Sequence, residues 1–216
     1  MKIGILGTGM VGETIGAKLV SLGHDVRLGA RSTPHDKAAQ WVATQGKAAS
    51  YGTLADAAEF GELVFNCTKG TASLDALARA GAANLDGKIL IDVANPLVFP
   101  GRAPGGGFDA ERSLGEQIQA AFPKARVVKA LNTVNCQLMV DPSRLPGAHD
   151  IFVSGDDPQA KDTVARLLRE WFGWKSVVDL GDIKTAHATE LYLSLWLALW
   201  RAAGTSDFNI HLVRGT

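Results

Sequence analysis

Apolar runs of strand length alternate with segments of helical spacing almost without interruption along this chain. Short apolar runs bounded by glycine, proline or polar residues are typical of strands, and apolar residues repeated every three to four positions are typical of helices. The predicted strands cover residues 2–6, 25–29, 48–51, 63–67, 88–93, 126–131, 151–154 and 176–180. The predicted helices cover residues 11–22, 36–44, 73–80, 114–121 and 158–171, and a last helix of about 20 residues begins at Ile183.

Strands that alternate with helices of this size predict an α/β fold, in which a doubly wound, mostly parallel sheet is covered by helices on both faces. The 216 residues suffice for one sizeable core and a small appendage, but not for two full catalytic domains. We therefore predict a main domain over residues 1–181 and a small C-terminal helical extension over residues 182–216.

Composition and charge narrow the range of partners. Lys plus Arg and Asp plus Glu both number 22, so the basic excess of a nucleic-acid-binding protein is missing. The most apolar run, residues 191–203, is shorter than the roughly 20 residues that span a membrane. No leader pattern precedes the first strand, and Cys67 and Cys136 lack the spacing of metal ligands. These features favour a reduced, cytoplasmic protein with no metal site, no nucleic-acid partner and no membrane segment.

A glycine-rich turn joins the first strand to the first helix. It has the pattern G-x-G-x-x-G and consists of Gly7, Thr8, Gly9, Met10, Val11 and Gly12. In this position the first glycine permits a tight turn, the second admits a pyrophosphate close to the backbone, and the third lets the helix pack on the strand. The N–H groups and dipole at the start of the helix then bind the phosphates. The turn predicts a Rossmann-type dinucleotide-binding domain.

The end of the second strand indicates which dinucleotide is bound. A site for NAD places an Asp or Glu there to hold the ribose hydroxyls, whereas this chain has Ala30, Arg31, Ser32 and Thr33. Arg31 can pair with a 2′-phosphate and lie flat on the adenine, and the two hydroxyl side chains can donate hydrogen bonds to that phosphate. We therefore predict NADP(H) as the cofactor.

Three further strand ends should line the same crevice, because ligands bind outside the carboxyl ends of parallel strands. Their small and amide-bearing residues suit the carboxamide and ribose of a nicotinamide riboside, although asparagine is also a common turn residue. The predicted cofactor-binding residues at these ends are Cys67, Thr68, Ala94, Asn95, Pro96, Leu131 and Asn132.

These motifs resemble those of the NADP-dependent reductases of the deazaflavin coenzyme F420, and the resemblance spans nearly the whole chain. It is supported by four further segments: Gly107-Phe108 and Glu111-Arg112-Ser113 in a long glycine-rich loop, Gly155-Asp156-Asp157, and Asp179-Leu180-Gly181 before the last helix. The resemblance implies a Rossmann domain with a small C-terminal extension, and commonly a dimer. The fold also resembles the cytosolic NADPH domain of membrane ferric reductases. The chain departs from the family at residues 130–135 and 207–212, where the acceptor would lie.

The nature of the acceptor follows from how little chain remains after the last strand. Some 35 residues, mostly one helix, are too few for the helical substrate domain of a hydroxyacid dehydrogenase. His187 and His211 are the candidates for an acid or base, but a lone histidine is more often structural, and we assign no catalytic side chain. Hydride transfer to a second planar ring needs mainly stacking and the exclusion of water.

We therefore predict an NADPH-dependent oxidoreductase that acts on a small-molecule redox acceptor, namely deazaflavin F420, a flavin-like ring or a ferric chelate. Two alternatives stay open. One is a non-catalytic NADP-binding sensor or partner protein, and the other is a small-molecule dehydrogenase whose site is completed between subunits.

The last helix is apolar on nearly all sides. Tyr192, Trp196 and Trp200 recur every four residues, and leucines fill two neighbouring stripes. A helix of this kind must be buried on nearly all sides, which predicts a homodimer formed through it. Burial within one chain is the alternative, and the aromatic stripe could also form the floor of an acceptor pocket.

Overall fold

A computed structural model describes residues 1–96 and 112–215. The strands of this part of the chain are β1 (Lys2–Leu6), β2 (Asp25–Ala30), β3 (Ala49–Thr53), β4 (Leu63–Asn66), β5 (Ile89–Asp92), β6 (Arg126–Ala130), β7 (Asp150–Ser154) and β8 (Ser176–Asp179). The helices are α1 (Met10–Ser21), α2 (Asp36–Gln45), α3 (Leu54–Phe60), α4 (Ser73–Ala80), α5 (Ala82–Leu85), α6 (Leu114–Ala121), α7 (Cys136–Val140), α8 (Pro158–Glu170) and α9 (Ala186–Ala203).

Within the described residues, eight strands form one sheet in the order β3-β2-β1-β4-β5-β6-β7-β8. Neighbouring strands are parallel except for β6 and β7, which pair antiparallel. The order of the first six strands is that of a dinucleotide-binding Rossmann fold. The predicted doubly wound, mostly parallel α/β fold is confirmed.

The core lies in two layers, one on each face of the sheet, because successive residues of a strand point to opposite faces. In β4, for example, Val64 packs in one layer and Phe65 in the other. All four residues of β4 and of β5 are buried, as expected for strands in the middle of a sheet covered on both sides.

Helix α3 is the longest of the helices that the sequence patterns missed, because it has only seven residues and few large apolar side chains. Its sequence signal was a capping box, in which the Thr53 hydroxyl accepts from the Asp56 N–H and the Asp56 carboxylate accepts from the Thr53 N–H. The helix packs so closely on β1 that a Cβ at Gly4 would overlap the carbonyl oxygen of Ala57. The short helices α5 and α7 were missed for the same reason of length.

Helix α9 is buried at its amino end and becomes exposed toward its carboxyl end. Its first residues, Ala186, Thr189 and Glu190, are buried, whereas Leu195 and Trp200 further along are 54% and 46% exposed. The expectation that this helix is buried on nearly all sides therefore does not hold within a single chain. No described helix is long and apolar enough to cross a membrane.

The segment after α9 turns back to the sheet beside β7. The Asp150 N–H donates to the Ile210 carbonyl at 2.9 Å, and the Asp150 carboxylate accepts from the Leu212 N–H at 2.5 Å. The Asp150 carboxylate also lies 3.1 Å from Nδ1 of His211. Residues 206–208 are thereby held next to the carboxyl ends of the strands.

Candidate functional site

The crevice of the sheet opens between β1 and β4, where the strand order reverses, and the glycine-rich turn forms its floor. Gly7 has a φ of +121°, and a Cβ there would lie 2.7 Å from the Cys67 carbonyl oxygen. A Cβ at Gly12 would overlap the carbonyl oxygen of Gly7, so α1 can approach β1 this closely only with glycine. A Cβ at Gly9 would meet nothing within 4 Å, so the backbone at Gly9 borders open space.

The amino end of α1 is well suited to an anion. Gly9 is its N-cap residue, and no side chain of the described residues caps the helix. The backbone N–H groups of the first turn and the positive end of the helix dipole therefore face the open space at Gly9. This arrangement fits a pyrophosphate.

A cavity of 430 Å³ extends from this turn over the end of β2. Arg31 and Arg79 both line it, and Nη2 of Arg79 donates to the Arg31 carbonyl at 2.5 Å. His35 lines it too: its Nδ1 accepts from the Ala38 N–H at 3.2 Å, and its Nε2 lies 3.3 Å from the Thr8 hydroxyl. Sequence reasoning missed Arg79 because it comes from α4, 48 residues beyond Arg31. His35 had a local signal, since it directly precedes α2 at the N-cap position.

A second cavity of 580 Å³ lies on the other side of residues 67–69. Cys67, Thr68 and Lys69 line both cavities, so the two spaces adjoin each other at the end of β4. The ends of β5 and β6 form its inner wall, where Nδ2 of Asn95 donates to the Asn132 carbonyl at 2.7 Å and Nδ2 of Asn132 donates to Oδ1 of Asn95 at 3.0 Å. The paired amides hold these two strand ends together.

The outer wall of the second cavity is aromatic. Trp196 and Trp200 from α9 lie with their ring centroids 5.6 Å apart, and Phe208 stacks on Trp196 at 5.4 Å. Nδ2 of Asn135 donates to the Ser206 carbonyl at 2.6 Å and to the Asp207 carboxylate at 3.0 Å, which fixes the segment after α9 against this wall. The aromatic stripe of the last helix thus faces the strand ends across an apolar cavity.

The structure places most of the sequence-predicted residues around the two cavities and the others in an exposed turn, at the end of the described segment or in the core. Gly7, Thr8, Gly9 and Arg31 line the first cavity, Met10, Val11, Ala94, Asn95 and Asn132 line the second, and Cys67 and Thr68 line both. Ser32 and Thr33 lie in the exposed turn after β2, and Pro96 lies at the end of the described segment. Gly12, Ala30 and Leu131 lie in the packed core. Leu131 is the non-glycine residue of the described part with a positive φ, +65°, a strained conformation of the kind that concentrates at functional sites.

Other candidates lie elsewhere. His187 and His211 line neither cavity, and the loop motif at Gly107-Phe108 and Glu111 lies outside the described residues.

Burial, together with the neighbouring Asp92 carboxylate, raises the pKa of the Cys67 thiol far above its usual range. This thiol therefore stays protonated at neutral pH. No group of three or more described His, Cys, Asp or Glu residues is arranged to hold a metal ion.

A buried ion cluster lies directly behind the second cavity, and sequence reasoning missed it. Nζ of Lys129, on β6, lies 2.8 Å from the Asp92 carboxylate and 2.7 Å from the Glu190 carboxylate on α9. Burial opposes the charge of Lys129, but the two carboxylates outweigh it and raise the pKa of this lysine. The one signal in the sequence was a lysine inside a strand whose other residues are mostly apolar, since lysine is rarely buried.

Comparison with known proteins agrees with this geometry. The model of the family described as NADP oxidoreductase, coenzyme F420-dependent, matches residues 2–96. A crystal structure from Arthrobacter sp. FB24, provisionally described as an F420-dependent NADP-reductase, is 46% identical, with a TM-score of 0.90 over 99% of this chain and 100% of that chain.

More distant relatives share a part of their length with this chain. The metalloreductase STEAP3 of Rattus norvegicus is 29% identical over 93% of this chain, which spans 38% of the length of that relative. The reductive aminase of Aspergillus terreus, solved with NADPH and ethyl levulinate, is 20% identical, with a TM-score of 0.66 over 94% of this chain and 62% of that chain, and it shows the shared fold alone.

The near full-length match at 46% identity, the family model over the glycine-rich turn and the strand ends, and the Rossmann strand order lead to one conclusion. The resemblance found in the sequence is confirmed: this chain belongs to the family of coenzyme F420-dependent NADP oxidoreductases, and it is an NADP-dependent oxidoreductase.

Proposed function

We propose that this chain transfers a hydride between NADP(H) in the crevice and a planar redox acceptor in the aromatic-walled cavity, the acceptor being deazaflavin F420 or a flavin-like ring. The observation that carries this proposal is that the two cavities adjoin each other at residues 67–69. A dinucleotide that lies along the first cavity would place its nicotinamide at the border of the second.

The first cavity supplies the groups that the phosphates and adenosine of NADP need. The N–H groups at Gly9 and the start of α1 would hold the pyrophosphate. Arg31 and Arg79 would surround a 2′-phosphate with two guanidinium groups, and His35 lies beside them with its ring against Thr8. An NAD site has an acidic residue at the end of its second strand, whereas β2 of this chain ends with Ala30 and is followed by Arg31.

The second cavity supplies the surfaces that two stacked rings need. Asn95 and Asn132 would donate hydrogen bonds to the carboxamide of the nicotinamide, and Trp196 and Trp200 line the same cavity. NADPH supplies the hydride when it is bound. The protein holds the acceptor ring against the aromatic wall, and the apolar walls exclude water from the reacting faces.

The dehydrogenase alternative has one observation in its favour. Lys69 is exposed and lines both cavities, so an amine is present near the place proposed for the nicotinamide. An acid at that position would suit the reduction of a small carbonyl or imine substrate. The aromatic wall favours the planar acceptor instead, because a small substrate does not need two tryptophans.

The acceptor assignment is tested by NADPH oxidation with deazaflavin coenzyme, FMN, FAD and a ferric chelate offered in parallel to the purified protein. We expect turnover with at least one of the planar rings, because the second cavity accommodates an aromatic system. Binding of NADPH without turnover on any of the four acceptors would contradict the proposal and favour the dehydrogenase.

The choice of NADP is tested by Arg31→Ala. We expect the Kd for NADPH to rise by about tenfold to a hundredfold, since a charged hydrogen bond to a phosphate contributes about 1.5–3 kcal/mol. The Kd for NADH should stay within about twofold, because NADH has no 2′-phosphate. Both constants are measured by fluorescence titration, with Arg169→Ala on the exposed face of α8 as the control for loss of one positive charge. Equal weakening of NADPH and NADH would show that Arg31 does not contact the phosphate.

The exposed side of α9 supports a further proposal, that this helix packs against a second copy of the chain. Leu191 and Leu195 are 45% and 54% exposed, and residues 191–200 carry no charged side chain. An apolar, uncharged helix face fits its own copy across a two-fold axis, because the same surface is then buried on both subunits.

Sedimentation analysis at micromolar concentration tests the dimer. We expect the wild-type chain to sediment as a dimer and Leu195→Glu to sediment as a monomer, since the substitution places two carboxylates in the apolar contact. Leu22→Glu, at the end of α1, is the matched control because Leu22 is also an exposed leucine, at 42%. A monomeric wild-type chain would refute the proposed dimer.

A further inference from the structure

We propose that Glu190, Lys129 and Asp92 form a positioning device that fixes the aromatic wall of α9 at a set distance from the strand ends across the second cavity. This inference rests on the proposed function, because it concerns how the donor and acceptor rings are held at reacting distance. None of the three side chains lines either cavity, so they act through the groups that they hold.

Lys129 is the centre of the device, and its ammonium group has three partners. Nζ lies 2.8 Å from Asp92 Oδ2, 2.7 Å from Glu190 Oε1 and 2.5 Å from the Ala94 carbonyl oxygen. An ammonium group has three donors, so all of them are used. The side chain is 1% exposed, and its partners come from β5, from the turn after β5 and from α9. One charged group on β6 therefore joins the carboxyl end of β5 to the first part of α9.

The Asp92 side of the cluster leads to the strand ends at the border of the two cavities, where we propose that the nicotinamide lies. Asp92 Oδ1 accepts from Nδ2 of Asn66 at 2.8 Å and from the Ala94 N–H at 3.2 Å. Asn66 Oδ1 in turn accepts from the Thr68 hydroxyl at 2.7 Å. Thr68 and Ala94 line the second cavity, so the orientation of these strand ends is fixed by bonds that converge on Lys129.

The Glu190 side leads to the aromatic wall. Its carboxylate also accepts from the N–H groups of Leu114 and Gly115 at 2.8 and 3.1 Å, at the amino end of α6. Glu190 precedes Trp196 by six residues on the same helix, which is about 9 Å along its axis. Glu190 is the last buried residue of α9, so its carboxylate is the buried contact of the helix that lies nearest to the tryptophans. A change in its position is carried along the rigid helix to Trp196 and Trp200.

Stability alone does not account for three buried charges. Burying an ion pair costs desolvation free energy, and replacing such groups with apolar residues of similar volume is often neutral or stabilising. Ionic hydrogen bonds instead specify distance and direction more strictly than apolar packing does. That property suits a site in which two rings must stack at a fixed separation, because a misplacement of about 1 Å can cost a hundredfold in rate.

The test compares Glu190→Gln with the wild-type protein in two binding steps and one chemical step. NADPH binding is measured by titration in the absence of acceptor, and binding of deazaflavin coenzyme and of FMN is measured by quenching of tryptophan fluorescence. Hydride transfer is followed in stopped flow. We expect the Kd for NADPH to stay within about twofold, while acceptor Kd rises or the hydride-transfer rate falls by about tenfold to a hundredfold. Glu170→Gln, at the exposed end of α8, is the control for loss of one carboxylate.

The split between NADPH and acceptor is the readout that a merely structural role would not produce. If NADPH binding, acceptor binding and thermal stability all fell together, or if acceptor binding and hydride transfer were unchanged, the positioning role would be overturned. Glu190→Asp, which keeps the charge and withdraws the carboxylate by one methylene, covers the case in which Glu190→Gln fails to fold, and the same split is expected of it.

Failure of the proposed function is distinguishable from failure of this inference. A wild-type protein that reduces no acceptor would defeat the two-ring reaction. The comparison of ring binding between wild type and variant would still decide whether the cluster positions the aromatic wall.

Discussion

The strand order of the sheet reverses between β1 and β4, and this reversal leaves a crevice at the carboxyl ends of the two strands. Every function proposed for this protein depends on that crevice. The helices that follow β1 and β4 leave to opposite faces of the sheet, so the carboxyl ends of the two strands stay uncovered. Close approach of the chain at Gly7 and Gly12 keeps the crevice narrow, since a Cβ at either glycine would meet backbone atoms. A dinucleotide can lie across it with its phosphates at the start of α1.

The small C-terminal part of the chain adds one wall to the second cavity, where we propose that the acceptor binds. Only the start of α9 is buried, and the helix then continues over the ends of β4, β5 and β6 with its tryptophans toward the cavity. The segment after the helix returns along β7 and is fixed by Asn135 and Asp150. The wall of the proposed acceptor site is thus built from a single helix and a short tail.

The sequence patterns predicted the fold well, because long buried strands and the glycine-rich turn have strong local signals. The start of α1, the end of β2 and the strand ends with Asn95 and Asn132 were predicted in this way, and in the structure they line the two cavities. Helix α3 was not, since seven residues with alanines at the contact positions give little periodicity.

The cluster of Lys129, Asp92 and Glu190 could not be found from the sequence either. Its members come from β6, β5 and α9, and the contacts between them are created only by the tertiary fold. Arg79 was missed for the same reason, because α4 brings it to Arg31 only in three dimensions. The aromatic stripe of α9 was recognised, but its pattern did not distinguish an interface from a cavity wall. The structure places Trp196 and Trp200 in the wall of the second cavity and leaves Leu191 and Leu195 exposed.

In the proposed reaction, hydride passes directly between two rings that meet at the second cavity. The most direct measurement uses NADPH that carries deuterium at C4 of the dihydronicotinamide, on one face at a time, with deazaflavin coenzyme as the acceptor in ordinary water. We expect deuterium from one of the two faces to appear at C5 of the reduced deazaflavin, because carbon-bound hydrogen does not exchange with solvent during a direct transfer. Reduced deazaflavin that contains only solvent hydrogen from both labelled forms would contradict it.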